Sequence, residues 1–337
     1  MTGPRLRWQA LPLLLVSAVL AFAQANDLGF PQWQSSSYYP PAPSEPPGPG
    51  TINYVEGQVS LDGQSLSARS VGSARLKPGQ TLTTTEGYVE VLLTPGAFLR
   101  IGHNSEIRIY SAGLVETQVQ LARGSALLEV DQFIPGTNLG VVMSGATSQI
   151  GKNGLYGFDA AKQAVMVVDG QATVQEAGGV TTLDKHHQVL LASDRPLKKR
   201  GFNVKTIEAD PLFAWSRARS EDVAQASSSA AANASAYAAA APGWYWDPTW
   251  NSYGFWPYAN SAYSAFGWNF YSPGYFGFGF YGGGGHSGWH GHSGWHWHGH
   301  GSGGTGNGGS HSHGGSSHSG GHSGGGGHSG GGGGGHR

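Results

Sequence analysis

Between Thr51 and Glu208 the chain alternates. In Glu106-Ile107-Arg108-Ile109-Tyr110 the isoleucines fall on one side of an extended chain and the charged residues on the other, the period of a half-buried strand. Runs of the same kind recur at Asn53–Leu61, Tyr88–Leu93, Ala97–Ile101, Val115–Leu121, Ala126–Val130, Ala164–Val168 and Ala172–Gln175. Turn signals separate them: Asp62-Gly63, Pro78-Gly79, Glu86-Gly87, Pro95-Gly96, Arg123-Gly124, Asp169-Gly170 and Gly178-Gly179. Turns about 8–12 residues apart predict an all-β fold, either a β-sandwich or a short β-solenoid. Each Asp-Gly pair predicts a tight type I′ hairpin, because both residues tolerate positive φ. No helical period shows in this stretch. A weak echo links Val55-Glu56-Gly57-Gln58-Val59-Ser60 to Val168-Asp169-Gly170-Gln171-Ala172-Thr173, as two related β units would.

The period changes at Asp210-Pro211. Asp is a good N-cap and Pro suits the first helical position, so one Ala-rich helix is expected over 210–241, ended by Pro242-Gly243. Leu212, Phe213, Trp215 and Val223 are its candidate docking residues. An aromatic-rich segment follows over 242–281, then a Gly/Ser/His-rich low-complexity tail over 282–337 that reads as disordered. At the other end, Arg5 and Arg7 precede the apolar run Leu11–Phe22 and the small residues Ala21, Ala23 and Ala25. That is the pattern of a cleavable secretory signal, assigned to 1–23, and the run is shorter than the ~20 residues of a spanning helix. The Pro-rich stretch 24–50 reads as an extended, unpacked linker.

Composition sharpens this division. The 337 residues include 57 Gly and 18 Pro, and only 12% are charged, where about 25% is usual. The glycine excess and the charge deficit both sit in the C-terminal part, while 51–208 has ordinary composition. There is no Cys, which excludes disulfides and thiolate chemistry. A formal net charge of −1 gives no pull toward nucleic acid, and the basic run Arg195–Arg200 reads as a solvated loop.

The tail holds most of the 15 histidines. His290, His292, His296, His298, His300, His311 and His313 lie at His-x-His spacing, which lets a pliable chain chelate Zn²⁺, Cu²⁺ or Ni²⁺ weakly and unselectively. No other cofactor is implied. Trp244, Trp246, Trp250, Trp256 and Trp268 are candidate binding residues, whose faces suit sugars or a partner protein. The alternative is that they pack on the β region. His103, His186 and His187 read as turn or structural residues. Glu90, Glu106 and Glu129 fall on alternating strands, where an outward position is the expectation. No nucleophile elbow, His-Glu-x-x-His, P-loop or dinucleotide fingerprint is present, so the chain is not expected to be an enzyme.

Gly57-Gln58-Val59, Leu76–Thr84, Val89–Ile101 and Asn104–Arg108 together resemble the FecR-like domain over Val55–Ser193. The resemblance implies a β fold built of short strands. The family's best-known members relay a signal to a sigma factor through a membrane-spanning helix. This chain carries an export signal where their cytoplasmic segment stands. The reading is therefore an exported, non-catalytic FecR-like interaction or scaffold module of the bacterial cell envelope. It would lie in the periplasm, at the cell surface or outside, with an envelope protein or polysaccharide as partner and no nucleic acid. Two alternatives are an extracytoplasmic signalling regulator with a membrane partner, and a metal-binding protein acting through the tail.

Overall fold

The computed structural model describes residues 42–191, 196–234 and 241–277. The signal segment 1–23, most of the linker and the tail 282–337 lie outside them.

Every alternating run named above forms a strand. β1 (Ile52–Leu61) turns through Asp62-Gly63 into the short β2 (Gln64–Ser65). Leu61 pairs with Gln64, and Asp62 and Gly63 both have positive φ, so the first Asp-Gly hairpin is as expected. Then come β3 (Thr81–Leu92), β4 (Ala97–Ile101), β5 (Glu106–Ala112), β6 (Glu116–Arg123) and β7 (Ser125–Val130). They continue as β8 (Asn138–Met143), β9 (Ala146–Ile150), β10 (Gly154–Asp159), β11 (Ala164–Asp169) and β12 (Gln171–Glu176). The last of the region are β13 (Gly179–Asp184), β14 (His187–Leu190) and β15 (Arg200–Gly201).

These form one 15-stranded sheet folded over on itself. Thr81–Thr83 of β3 pair with β5, whereas Val89–Leu92 pair with β4, so one strand serves two sheets. From β3 one arm runs β5-β6-β8-β9-β12-β13 and the other β4-β7-β10-β11-β14-β15. Val119, Leu139, Val141 and Val174 of the first arm share one core with Leu99, Leu128, Phe158 and Val167 of the second. This is a sandwich. The solenoid alternative fails because the strands pair antiparallel, β6–β8 excepted.

The chain crosses from one arm to the other along a common crease, and residues tolerant of tight backbone mark it. The β1–β3 ladder shifts register between Gly57 and Val59. β6 passes to β7 at Gly124, where φ is +83° and a Cβ would lie 2.0 Å from the Ser105 hydroxyl. β13 passes to β14 through His186, at φ +63°. β11 passes to β12 at Gly170, where a Cβ would meet the Tyr156 hydroxyl at 2.3 Å. The second Asp-Gly pair is therefore not a hairpin. β11 pairs with β10 and β14, and β12 with β9 and β13. The echo between the two Gly-Gln stretches falls on two crossings of this crease.

A short helix, α1 (Val204–Glu208), appears where no helical period is visible. Asn203 caps it, accepting from the Lys205 N–H. The expected helix is α2 (Pro211–Asn233), with the Asp210 carboxylate accepting from the Leu212 N–H at 2.8 Å and Pro at its start. It runs to Asn233, with Ala234 extended and Ala231 the last buried residue of its docked face; residues 235–240 of the expected helix lie outside the described residues. The end of the linker is not unpacked either. Gly48, Pro49 and Gly50 are buried, and Gly50 donates to the Leu92 carbonyl at 2.8 Å.

Two small hairpins close the described chain: β16 (Gly243–Asp247) with β17 (Ser252–Trp256), and β18 (Ser261–Tyr263) with β19 (Asn269–Tyr271). A last turn of helix, α3 (Pro273–Gly277), follows. With α2 they cover the outside of the second arm, which becomes a sheet buried on both faces. All five residues of β4 and the last five of β7 are buried.

Candidate functional site

Arg100 sits on the covered face of that sheet, with Glu90 beside it on β3 and Glu129 on β7. The register places Glu90 opposite Arg100 and Arg100 opposite Leu127. The Arg100 Nε donates to Glu90 at 2.8 Å and its Nη1 donates to Glu129. Helix α2 adds Arg219, whose Nη2 donates to Glu90 at 3.2 Å, and Ser220, which donates to Glu129 at 2.8 Å. Ser264, from the loop between β18 and β19, also donates to Glu129. Asn53 of β1 donates to Glu90 at 2.9 Å and accepts from the Tyr253 N–H at 2.7 Å. Helix, aromatic segment and sandwich thus share one polar centre.

None of its charged groups reaches solvent appreciably. Burial opposes the Glu90 charge, but Arg219, Arg100 and the Asn53 amide together hold its carboxyl below the usual range. The two glutamates raise the Arg100 pKa. Asp131, just past β7, is the exception. Burial first and the Glu129 charge second push its carboxyl well above the usual range, and neither oxygen finds a donor among the described residues.

The correction here concerns Glu90 and Glu129. Both do point away from the sandwich core, as alternation requires, but α2 and the aromatic segment bury them completely. Glu106 behaves as expected, half-buried and paired with Arg108. His103 lies edge-on against Tyr88 with ring centres 4.2 Å apart, and His187 contacts Asp184 at 2.8 Å. Lys199, in the basic run, is also paired with Asp184.

Most of the candidate tryptophans are packing residues. Trp244 lies edge-on to Phe98 at 5.1 Å and to Phe255 at 5.6 Å. Trp246 packs against Tyr253, and Trp256 stacks on Tyr245 at 4.2 Å. Trp268 packs on the same cluster. Among the described residues, the indole N–H groups of Trp244, Trp246 and Trp268 are buried with no acceptor, and the rings contribute their faces to the packing. Trp250 differs: it sits between β16 and β17 and is 42% exposed.

Among the described residues of the segment, the other strongly exposed rings are Tyr258, Tyr263 and Tyr275, at 58%, 62% and 48%. Alternation explains part of this. In the β18–β19 ribbon Ala262 pairs with Phe270 and both face inward, Phe270 fully buried. Ser261, Tyr263, Asn269 and Tyr271 therefore share the outward face, and Tyr275 of α3 lies 4.5 Å from Tyr271. The sequence signal that could have found them is the polar-apolar-Tyr alternation of Ser261-Ala262-Tyr263 and Asn269-Phe270-Tyr271 rather than tryptophan content.

Beside this ribbon runs a groove of about 570 Å³ between the β7–β8 loop and residues 258–262. Gln132, Phe133, Ile134, Asn153, Tyr258 and Ser261 line it, with Asp131 beneath. Gln132 accepts from the Tyr258 N–H at 2.9 Å, and Asn153 donates to the Asp131 carbonyl at 2.9 Å, so both walls are braced. A second cavity, of about 260 Å³, lies between the covered sheet and α1. Its walls are Leu127, Met166, Phe202, Ile207, Leu212 and Phe213. Of its polar groups, Asn203 and Asp210 cap helices, and Lys162 pairs with Asp159.

The candidate metal ligands His290, His292, His296, His298, His300, His311 and His313 lie outside the described residues. Among the described residues, no helix is long and apolar enough to cross a membrane.

No family model matches the chain, and no curated protein matches it. Two crystal structures of a proposed anti-sigma factor from Parabacteroides distasonis ATCC 8503 are similar in part. One is 18% identical, over 38% of this chain and 62% of that one, at a TM-score of 0.34. The other is 16% identical, over 38% and 63%, at the same TM-score. Each match spans less than two thirds of the solved chain. Similarity at this level carries neither topology nor function across, and the reading below rests on this chain's own residues.

Proposed function

We propose that this chain is an exported, non-catalytic FecR-like interaction or scaffold module of the bacterial cell envelope. The observation that carries the reading is the division of labour in the aromatic segment. Its tryptophans and phenylalanines anchor it to the covered sheet, while Trp250, Tyr258, Tyr263 and Tyr275 remain at the surface. Exposed aromatic rings on a rigid support are the usual currency of recognition. The buried charges support the same reading, since each glutamate of the centre is held by neighbouring donors rather than directed at a cavity. The FecR-like residues fit a structural role: Gly57 and Asn104 stand at the crease, and Glu90 and Arg100 stand in the polar centre. The N-terminal Arg5, Arg7 and Leu11–Phe22 pattern supports export.

The test is retention of the purified full chain on isolated cell-wall sacculi and on envelope protein extract. Replacing Trp250, Tyr258, Tyr263 and Tyr275 together by alanine is expected to weaken retention roughly tenfold, the scale of a few interface anchors. Retention that is absent, or equal in the variant, overturns the proposal. Capture specifically by a membrane signalling protein would favour the regulator alternative.

A further inference from the structure

We propose that the groove between the β7–β8 loop and residues 258–262, together with the outward face of the β18–β19 ribbon, is a binding site for an uncharged hexopyranose chain. The inference rests on the envelope-module reading and names the ligand of the same surface.

The groove and the ribbon meet at Ser261, which lines the first and faces outward on the second. A pyranose ring has a flat face of C–H bonds and a rim of hydroxyls. It calls for an aromatic ring to lie against and for short uncharged donors and acceptors at the edge. The surface offers both. Tyr258 and Phe133 stand in the groove, and Tyr263, Tyr271 and Tyr275 continue beyond it. Gln132, Asn153, Ser261 and Asn269 supply amides and hydroxyls. Tyr263 and Tyr271 are diagonal neighbours across the ribbon, about 7–8 Å apart, so two rings stand side by side on its outward face.

Charge selects among occupants. Asp131 is the charged residue type in the groove, and it is fully buried with its carboxyl pushed toward the neutral form. From Val223 to His336 the sequence carries one charged residue, Asp247, on the other hairpin. The residues that line the groove include no cation and no exposed carboxylate, which favours an uncharged occupant over an acidic or a basic polymer. The groove volume of about 570 Å³ lies in the range of small-ligand sites.

The test is calorimetric titration of the full chain with cellohexaose and with chitohexaose, the second distinguishing acetamido sugars from plain ones. Saturable binding of at least one is expected. It should weaken roughly tenfold in Tyr258→Ala/Tyr263→Ala and stay unchanged in Trp250→Ala, which lies on the other hairpin. All three side chains are exposed, and matching thermal midpoints would show that the variants fold. No binding of either sugar up to about 10 mM, or equal affinity in the double variant, overturns the proposal. Oligosaccharide binding without retention on envelope material would leave the groove standing and remove the envelope reading. Retention without oligosaccharide binding would do the reverse.

Discussion

Arg219 of α2 donates to Glu90 of β3 at 3.2 Å, across 129 residues of sequence and in a place closed to water. The pair does more than add one ion pair. Glu90 also accepts from Arg100 and Asn53, so the helix completes a carboxylate whose remaining partners belong to the sandwich. Removing Arg219 leaves a buried charge imbalance.

Arg219→Ala is accordingly expected to destabilise by about 3–5 kcal/mol, the usual consequence of breaking a buried pair from one side. Arg219→Met combined with Glu90→Gln should cost less than the two single changes added together. Urea unfolding of the wild type, Arg219→Ala, the two single changes of the cycle and the double variant checks this.

Asp131 and Glu90 should tilt stability in opposite directions with pH. The Glu90 carboxyl is lowered on folding, so its contribution is present above the unfolded value, about 4.3, and is lost as pH falls through the folded one. The Asp131 carboxyl is raised on folding. The unfolded chain ionises first, and stability is lost as pH rises from about 3.9 toward the folded value. Asp131→Asn should therefore raise the urea midpoint at pH values above about 3.9 and flatten its decline as pH rises. An unchanged slope would show that Asp131 is ionised throughout.

The crease predicts a contrast between glycines. Gly124→Ala places a Cβ 2.0 Å from the Ser105 hydroxyl and 2.5 Å from its Cα, at φ +83°. A loss of about 3 kcal/mol or more is expected, from backbone strain and collision together. Gly79→Ala, at φ +87° with open space around it, should cost only the strain, about 1 kcal/mol. Thermal midpoints of the two variants give the comparison.

Phe255 is the hinge pin of the aromatic cover: it is fully buried, and it lies edge-on to Trp244 and Phe270. Phe255→Ala should cost about 3–5 kcal/mol and reduce the near-ultraviolet circular dichroism of the packed tryptophans. Deleting 244–281 outright would be a poor probe of binding, because it strips Ser264 and Tyr253 from the polar centre.

The strands were legible because alternation is a local property, and the start of α2 because Asp210-Pro211 is a local signal. The docked face of α2 was legible in part. Leu212, Phe213 and Val223, expected to dock the helix, are buried, and Trp215 packs beside them, but Ser216, Arg219, Ser220 and Ser227 on the same face are polar and gave no hydrophobic stripe to mark it. Glu90 and Glu129 were misread for a related reason. Their outward neighbours Leu92, Phe98 and Leu127 are apolar, so both faces of that sheet were marked for burial. A charge within such a run has to be paired. The partner, Arg219, lay too far along the chain for any local pattern to indicate it. The tyrosine face depended on which residues of two three-residue strands oppose each other, a matter of register that composition does not encode.

The polar centre also orders the assembly of the molecule in time. As the chain emerges from its N-terminus, the sandwich strands carrying Glu90, Glu129 and Asp131 precede α2 by some eighty residues or more, with Arg100 as their sole guanidinium in that centre. A half-made chain that ends near residue 208 therefore holds an uncompensated anionic face. The change of composition at that point marks a boundary in vocabulary, whereas the packed unit extends through the second hairpin.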